Sequence, residues 1–275
     1  MPESVSIPIL NQSPTSLSGV RFCIKHGDSL SSFDVPDKDP LHIHDCIEIY
    51  FNVIGDVTFL VNNRLYPISP GDIVVSMPND VHVCLFNSKA RHEYYSLWLD
   101  VGECAAIRSL FDGNHSPRYS FNDPTREVLS DLFRRLYELS DGGSELKKTV
   151  SFLRIMTAFD SEECERGNAL AVPPEFQLIL DEIDERFAEI NNAADIHSAR
   201  FISHSTLYRM FRKYTRSSPH AYIESRKLSN AAKLLSGGAT VTEACLASGF
   251  SDCSRFIIIF KRKFGETPLK YKRSF

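Results

Sequence analysis

Hydrophobic and polar positions along this chain follow two rhythms, and the change between them divides it. Short runs rich in β-branched and aromatic residues occupy 47–54, 57–61, 73–77, 81–86 and 94–99. Gly55-Asp56, Asn62-Asn63, Pro70-Gly71-Asp72 and Pro78-Asn79-Asp80 punctuate them. Closely spaced strands with tight turns predict a small antiparallel barrel or sandwich. Beyond residue 100 the period lengthens to that of a helix. Asp123-Pro124 opens a helix over 125–139, with Val128, Leu129, Leu132, Leu136 and Leu139 on one side. Asp141-Gly142-Gly143 ends it, and Ser144 is the expected cap of a second helix reaching about 159. That hairpin has an apolar face to bury, and a second copy of the chain is the expected occupant. Pro173-Pro174 closes a linker-like stretch.

The last hundred residues are helical in pattern. A helix over 175–190 places Phe176, Ile179, Leu180, Ile183 and Phe187 on one face. A short helix over 195–201 follows, then a Ser203-capped helix over 204–214 with Leu207, Met210, Phe211 and Tyr214 buried. A connecting helix over 219–235 leads to a short one over 241–247. Gly249 then supplies a tight turn before a last helix in which Phe256, Phe260 and Phe264 recur every four residues. Ser251 or Asp252 can cap that helix and Gly265 can end it. Two helix-turn-helix units result, each with basic residues on its exposed side. A connecting helix of about 17 residues spans roughly 25 Å. With its flanking turns it could hold two recognition helices about 34 Å apart, one turn of duplex.

Charge reinforces the division. Residues 1–190 hold 16 Lys+Arg against 30 Asp+Glu, whereas residues 191–275 hold 15 against 5. A block of net +10 joined to one of net −14 points to a polyanionic partner for the C-terminal part alone. The seven cysteines (23, 46, 84, 104, 164, 245 and 253) are odd in number and form no C-x-x-C pair, which indicates reduced thiols in a cytoplasm. No secretory signal and no run of 18 apolar residues is visible, so a membrane is not among the expected partners.

Gly249, Phe250, Ser251, Phe256, Phe260, Lys261, Phe264, Gly265, Thr267, Pro268 and Tyr271 closely resemble the C-terminal signature of the AraC-type transcription regulators. Ser203, Leu207, Arg209, Met210 and Phe211 resemble the family's first helix-turn-helix, with Phe201 and Arg216 standing where glycines are usual. The resemblance implies double-stranded DNA as partner. It implies groove-facing Ser205, Tyr208, Arg209, Arg212 and Lys213 on the first reader. On the second it implies Cys253, Ser254, Arg255, Ile257, Ile258 and Lys261. Arg209 is the expected base reader and Lys261 the expected phosphate anchor. RNA polymerase would be a further partner if the protein activates.

His42-x-His44-x-x-x-Glu48 followed by Gly55 resembles the first motif of cupins, and Gly71, Pro78, His82 and Asn87 approximate the second. In metal-binding cupins these positions supply the ligands. The resemblance therefore implies that His42, His44, Glu48 and His82 could hold a divalent transition metal as cofactor. Without a metal, the same groups with Tyr50, Phe86 and Trp98 would line a pocket for a small polar effector such as a sugar.

The expected class is α+β in two domains. A cupin-like antiparallel barrel (15–105) with a dimerising helical hairpin (106–160) is joined by a linker (161–174) to an all-α double helix-turn-helix (175–275). The expected function is sequence-specific transcription regulation in response to a small-molecule effector. A metal-dependent cupin enzyme with a helical tail is the alternative, and it has only the four candidate ligands in its favour.

Overall fold

The computed structural model describes residues 20–29, 41–88, 90–102, 104–111, 116–161, 164–170, 172–200 and 202–273. The N-terminal half contains β1 (Arg21–Ser29), β2 (Ile47–Ile54), β3 (Val57–Val61), β4 (Arg64–Ile68), β5 (Ile73–Ser76), β6 (His82–Phe86) and β7 (His92–Asp100). These are followed by α1 (Ala105–Arg108), β8 (Arg118–Ser120), α2 (Asp123–Ser140), α3 (Glu145–Ala158) and β9 (Glu165–Arg166). The C-terminal half is α4 (Pro174–Arg186), α5 (Ala193–Arg200), α6 (His204–Thr215), α7 (Pro219–Ser236), α8 (Val241–Ala247), α9 (Cys253–Phe264) and α10 (Pro268–Lys272).

The expected barrel is an open pair of sheets: six strands ordered β1-β7-β2-β5-β8-β9 and three ordered β4-β3-β6. Alternation along β2 assigns its two faces. Ile47, Ile49 and Phe51 join Leu129, Leu132, Phe133, Leu136, Phe152 and Ile155, so α2 and α3 cover the outer face of the large sheet. Tyr50 and Val74 point the other way and meet Val57, Phe59, Val61, Tyr66 and Ile68 of the small sheet. The outer face of the small sheet is not solvent-facing. Leu60, Leu65, Val83 and Leu85 share one buried cluster with Phe176, Ile179, Leu180 and Ile183 of α4, and with Phe211, Tyr222, Phe256 and Phe260. A single sheet thus separates the interior of the N-terminal half from the C-terminal helices.

Several local expectations change. The cap of α2 is Asn122, whose side chain accepts from the Thr125 amide, and Asp123 is the first helical residue. Ser144 precedes α3 without a side-chain capping bond. The stretch expected as linker is tethered, since β9 pairs with β8 and Leu170 bridges to Leu65. Arg216 takes the left-handed conformation that glycine usually fills, at φ 53. Phe201 lies outside the described residues.

Candidate effector site and DNA-reading face

Two segments position the histidine cluster. Residues 41–44 run beside β6, where His42 and His82 exchange both backbone hydrogen bonds at 3.0 and 3.1 Å. Glu48 projects from β2 opposite Trp98 and Ser76. Its Oε1 accepts from Ser96 Oγ at 2.9 Å. Its Oε2 lies 2.9 Å from His44 Nε2, 3.1 Å from His82 Nε2 and 3.7 Å from His42 Nε2. His44, Glu48 and His82 are buried, and His42, with a side chain 39% exposed, opens the cluster to solvent.

The far nitrogens fix the ring tautomers. His44 Nδ1 donates to the Cys46 carbonyl and His82 Nδ1 to the Asp80 carbonyl, each at 2.9 Å. A carbonyl only accepts, so each Nδ1 carries a proton and each ring turns its Nε2 to Glu48. Burial together with neighbouring His42 pushes the His82 imidazole down to about 3, against the pull of Glu48. Burial also works against a charge on His44, but its bonds to Cys46 and Glu48 win and push it up to about 10. Glu48 is held well below the usual carboxylate range by the three histidines, despite burial that would raise it. His44 is therefore the ring that carries a charge beside Glu48, while His82 stays neutral. At His82 two acceptors face each other at 3.1 Å, a contact that a cation between them would relieve. Three imidazoles and a carboxylate whose donor atoms lie within 4.8 Å of one another fit a divalent transition metal.

The other expected pocket residues divide. Tyr50 is buried, stacked on Tyr94 at 4.9 Å and tilted against Phe59 at 4.6 Å. Trp98 is half-buried under the Lys25 ammonium, 5.0 Å from its ring. Phe86 lies at the far end of β6 against His92, 4.5 Å between ring centroids.

In the C-terminal half, Ser203 caps α6 by accepting from Thr206, and Asp252 caps α9 by accepting from Ser254 and Arg255. Ser205, Arg209 and Arg212 are exposed and Tyr208 is half-buried, at positions that share one face of α6. Lys213 is exposed beside that face, 4.9 Å from the Tyr214 ring. On α9, Ser254, Arg255, Ile257, Ile258 and Lys261 are exposed, with Ile258 at 70%. Between the two helices, over the start of α7, lies a groove of about 520 Å³ lined by Arg212, Arg216, His220, Arg255, Ile258 and Arg262. Glu224 is the one acidic residue on its walls and pairs with Arg262 at 3.1 Å. In the sequence Arg216 stands out only as occupying a glycine position, and His220 does not stand out; one follows α6 and the other opens α7, outside the periodic faces of the two reading helices.

Polar contacts also tie the halves together at three asparagines in left-handed turns, Asn62, Asn63 and Asn79. Asn63 donates to the Leu180 carbonyl at 3.2 Å and to Asp184, and accepts from the Tyr222 hydroxyl. Arg226 donates to Asn62 at 3.1 Å and pairs with Asp184. Ser229 donates to the Asn79 carbonyl at 2.6 Å, and Tyr271 to the Asn79 side chain at 3.0 Å. Lys263 of α9 donates to the Leu41 carbonyl at 2.6 Å. The local pattern could not reveal this clasp, whose partners stand more than a hundred residues apart.

Comparison with known proteins covers both parts of the chain. Residues 32–156 match the family model of the AraC-like ligand binding domain, and residues 198–274 match a helix-turn-helix domain model. The HTH-type transcriptional regulator YbfI of Bacillus subtilis (strain 168) is 27% identical over 226 residues, 80% of this chain and 82% of YbfI. The HTH-type transcriptional activator RhaS of Escherichia coli is 24% identical over 247 residues, 85% of this chain and 88% of RhaS. The crystal structure of apo ToxT K231A from Vibrio cholerae is 15% identical over 92% of this chain and 97% of that one, with a TM-score of 0.39. No helix among the described residues is long and apolar enough to cross a membrane. With a ligand-binding domain ahead of a helix-turn-helix domain, and with regulators for relatives, this chain belongs to the AraC family of DNA-binding transcription regulators.

Proposed function

We propose that the effector of this regulator is a divalent transition metal held by His42, His44, Glu48 and His82, and that its binding is relayed to DNA through the asparagine clasp. The observation carrying the reading is the convergence of three Nε2 atoms on one carboxylate oxygen, with two of the rings locked from behind by carbonyls. A bound metal would supply the positive charge that the facing acceptors lack. Ser96 holds Glu48 in place, and the Cys46 and Asp80 carbonyls orient the imidazoles. Beyond the cluster Tyr50, Phe59, Val61, Tyr66 and Val74 pack together, which favours an ion over a sugar.

On the DNA side, Arg209 and its neighbours on α6 read base edges. The second reader, with an apolar Ile258, contributes methyl contacts and phosphate anchoring through Lys261. The arginine-lined groove accepts the backbone that passes between the two helices. Leu146, Val150 and Leu153, exposed at a spacing of four and three on α3, give a stripe for a second copy of the chain.

Elemental analysis and calorimetric titration with zinc, nickel and manganese test the metal. Near-stoichiometric binding to the wild type, weakened about a hundredfold or more in His82→Ala, is the expected outcome. Equal binding by both proteins, or none by either, removes the metal from the account.

A further inference from the structure

Two of the seven cysteines meet inside the second helix-turn-helix, where Cys253, one of the positions the resemblance turns toward the groove, places its sulfur against Cys245 instead. Cys245 lies buried on α8 and Cys253 is half-buried at the first position of α9. Their sulfurs are 2.7 Å apart. The backbone holds the pair in that position. The Phe250 amide bonds the Cys245 carbonyl at 3.1 Å, and the Cys245 thiol reaches the Phe250 carbonyl at 3.6 Å. Gly249, at φ 78, sits in the turn between the helices, where a Cβ would come 2.1 Å from the Ala188 carbonyl oxygen. Asp252 clamps the start of α9 through the Ser254 and Arg255 amides at 2.8 and 3.1 Å. A disulfide needs its sulfurs about 2.05 Å apart, so little movement separates the two thiols from a bond.

We infer that Cys245 and Cys253 form a reversible disulfide when a hydroperoxide reaches the protein, and that closing it alters DNA reading. The half-buried Cys253 is the accessible thiol. Its sulfur attacks the peroxide, the O–O bond breaks, and Cys253 becomes a sulfenic acid as the alcohol or water leaves with the thiol proton. The Cys245 thiol then attacks the sulfenic sulfur, the S–S bond forms, and water departs. Two thiols lose two electrons and two protons, and one peroxide bond is reduced. Ser254 and Arg255 follow Cys253 directly and are exposed, so the bond ties the first turn of the reading helix to α8.

The full-length chain, with chelator present, is treated with hydrogen peroxide, and its remaining thiols are alkylated and mapped by proteolysis and mass spectrometry. A 245–253 disulfide formed ahead of changes at Cys23, Cys46, Cys84, Cys104 and Cys164, and reversed by dithiothreitol, is expected. Affinity for an operator duplex selected from a random pool by the reduced protein should fall about tenfold on oxidation, the size of losing one good contact. Reduction should restore it, and Cys253→Ser, whose fold is checked by circular dichroism, should show no such response. Cys245→Ala provides a second variant with the same expectation. Thiols at 245 and 253 that stay free while the others oxidise, or a disulfide that leaves affinity unchanged, would overturn the inference. The thiol map requires neither the metal cluster nor the clasp, so it stands or falls apart from them.

Discussion

Single residues set the geometry of the DNA-reading half, and two glycines show how. Both Gly249 and Gly265 sit at φ 78, where a side chain is strained. A Cβ on Gly265 would meet nothing within 4 Å, whereas one on Gly249 would come 2.1 Å from the Ala188 carbonyl oxygen. Gly265→Ala should therefore cost only the backbone strain, about 1 kcal/mol. Gly249→Ala must also displace the turn that follows α4 and should cost at least about 3 kcal/mol. Urea unfolding of the two variants gives the comparison, and equal costs would contradict the packing. The two cations invite a second contrast. Arg209→Ala should relax specificity and cost roughly 1–3 kcal/mol on a selected operator, while Lys261→Ala should weaken selected and random duplexes alike and lower the salt slope by about one. The same variants losing equal amounts on every DNA would sink that division of roles. The resemblance to the AraC-type signature brought the two cations into view, and the resemblance to the cupin motifs the four cluster ligands. The three clasp asparagines looked like turn punctuation only, because nothing local says what a turn will touch.

Among the elements, the strongest periodicities translated most directly. The strands Ile47–Ile54 and Val57–Val61 and the helix Val241–Ala247 have the bounds that the pattern predicted. Other elements were illegible for physical reasons. β4 contains Pro67 and survives as an edge strand, where a missing amide costs no ladder bond. β1 mixes Lys25, His26, Gly27 and Asp28 into its run and is held by its full register with β7. β9 is two residues long and exists only through its pairing with β8. The hairpin carries the prediction at this scale. Leu146→Glu with Leu153→Glu changes residues 71% and 37% exposed, so it should leave the fold intact and convert a dimer to a monomer by sedimentation. A wild type that is monomeric at micromolar concentration would remove the hairpin interface.

For the whole molecule, the arrangement that matters is the order of layers: α2 and α3, the large sheet, the small sheet, then the C-terminal helices. His82 faces inward from the small sheet, while Val83 and Leu85 beside it pack on the DNA-binding side. Asn79, three residues before His82, receives Ser229 and Tyr271, and its amide bonds the His44 carbonyl at 2.8 Å. Anything that draws His42, His44 and His82 toward Glu48 therefore pulls on the segments that grip α7 and α10. Effectors of this kind need only a coupling of about 1–3 kcal/mol to matter. Tyr222→Phe removes one grip, costs about 1 kcal/mol of stability, and should reduce the coupling without touching metal affinity. The most direct test uses an operator duplex selected from a random pool by the protein itself. Its affinity is measured with and without saturating zinc for wild type and His82→Ala. The account predicts a zinc-dependent change of about fivefold or more in the wild type and none in the variant. Zinc that binds the cluster yet leaves wild-type DNA affinity unchanged would contradict it.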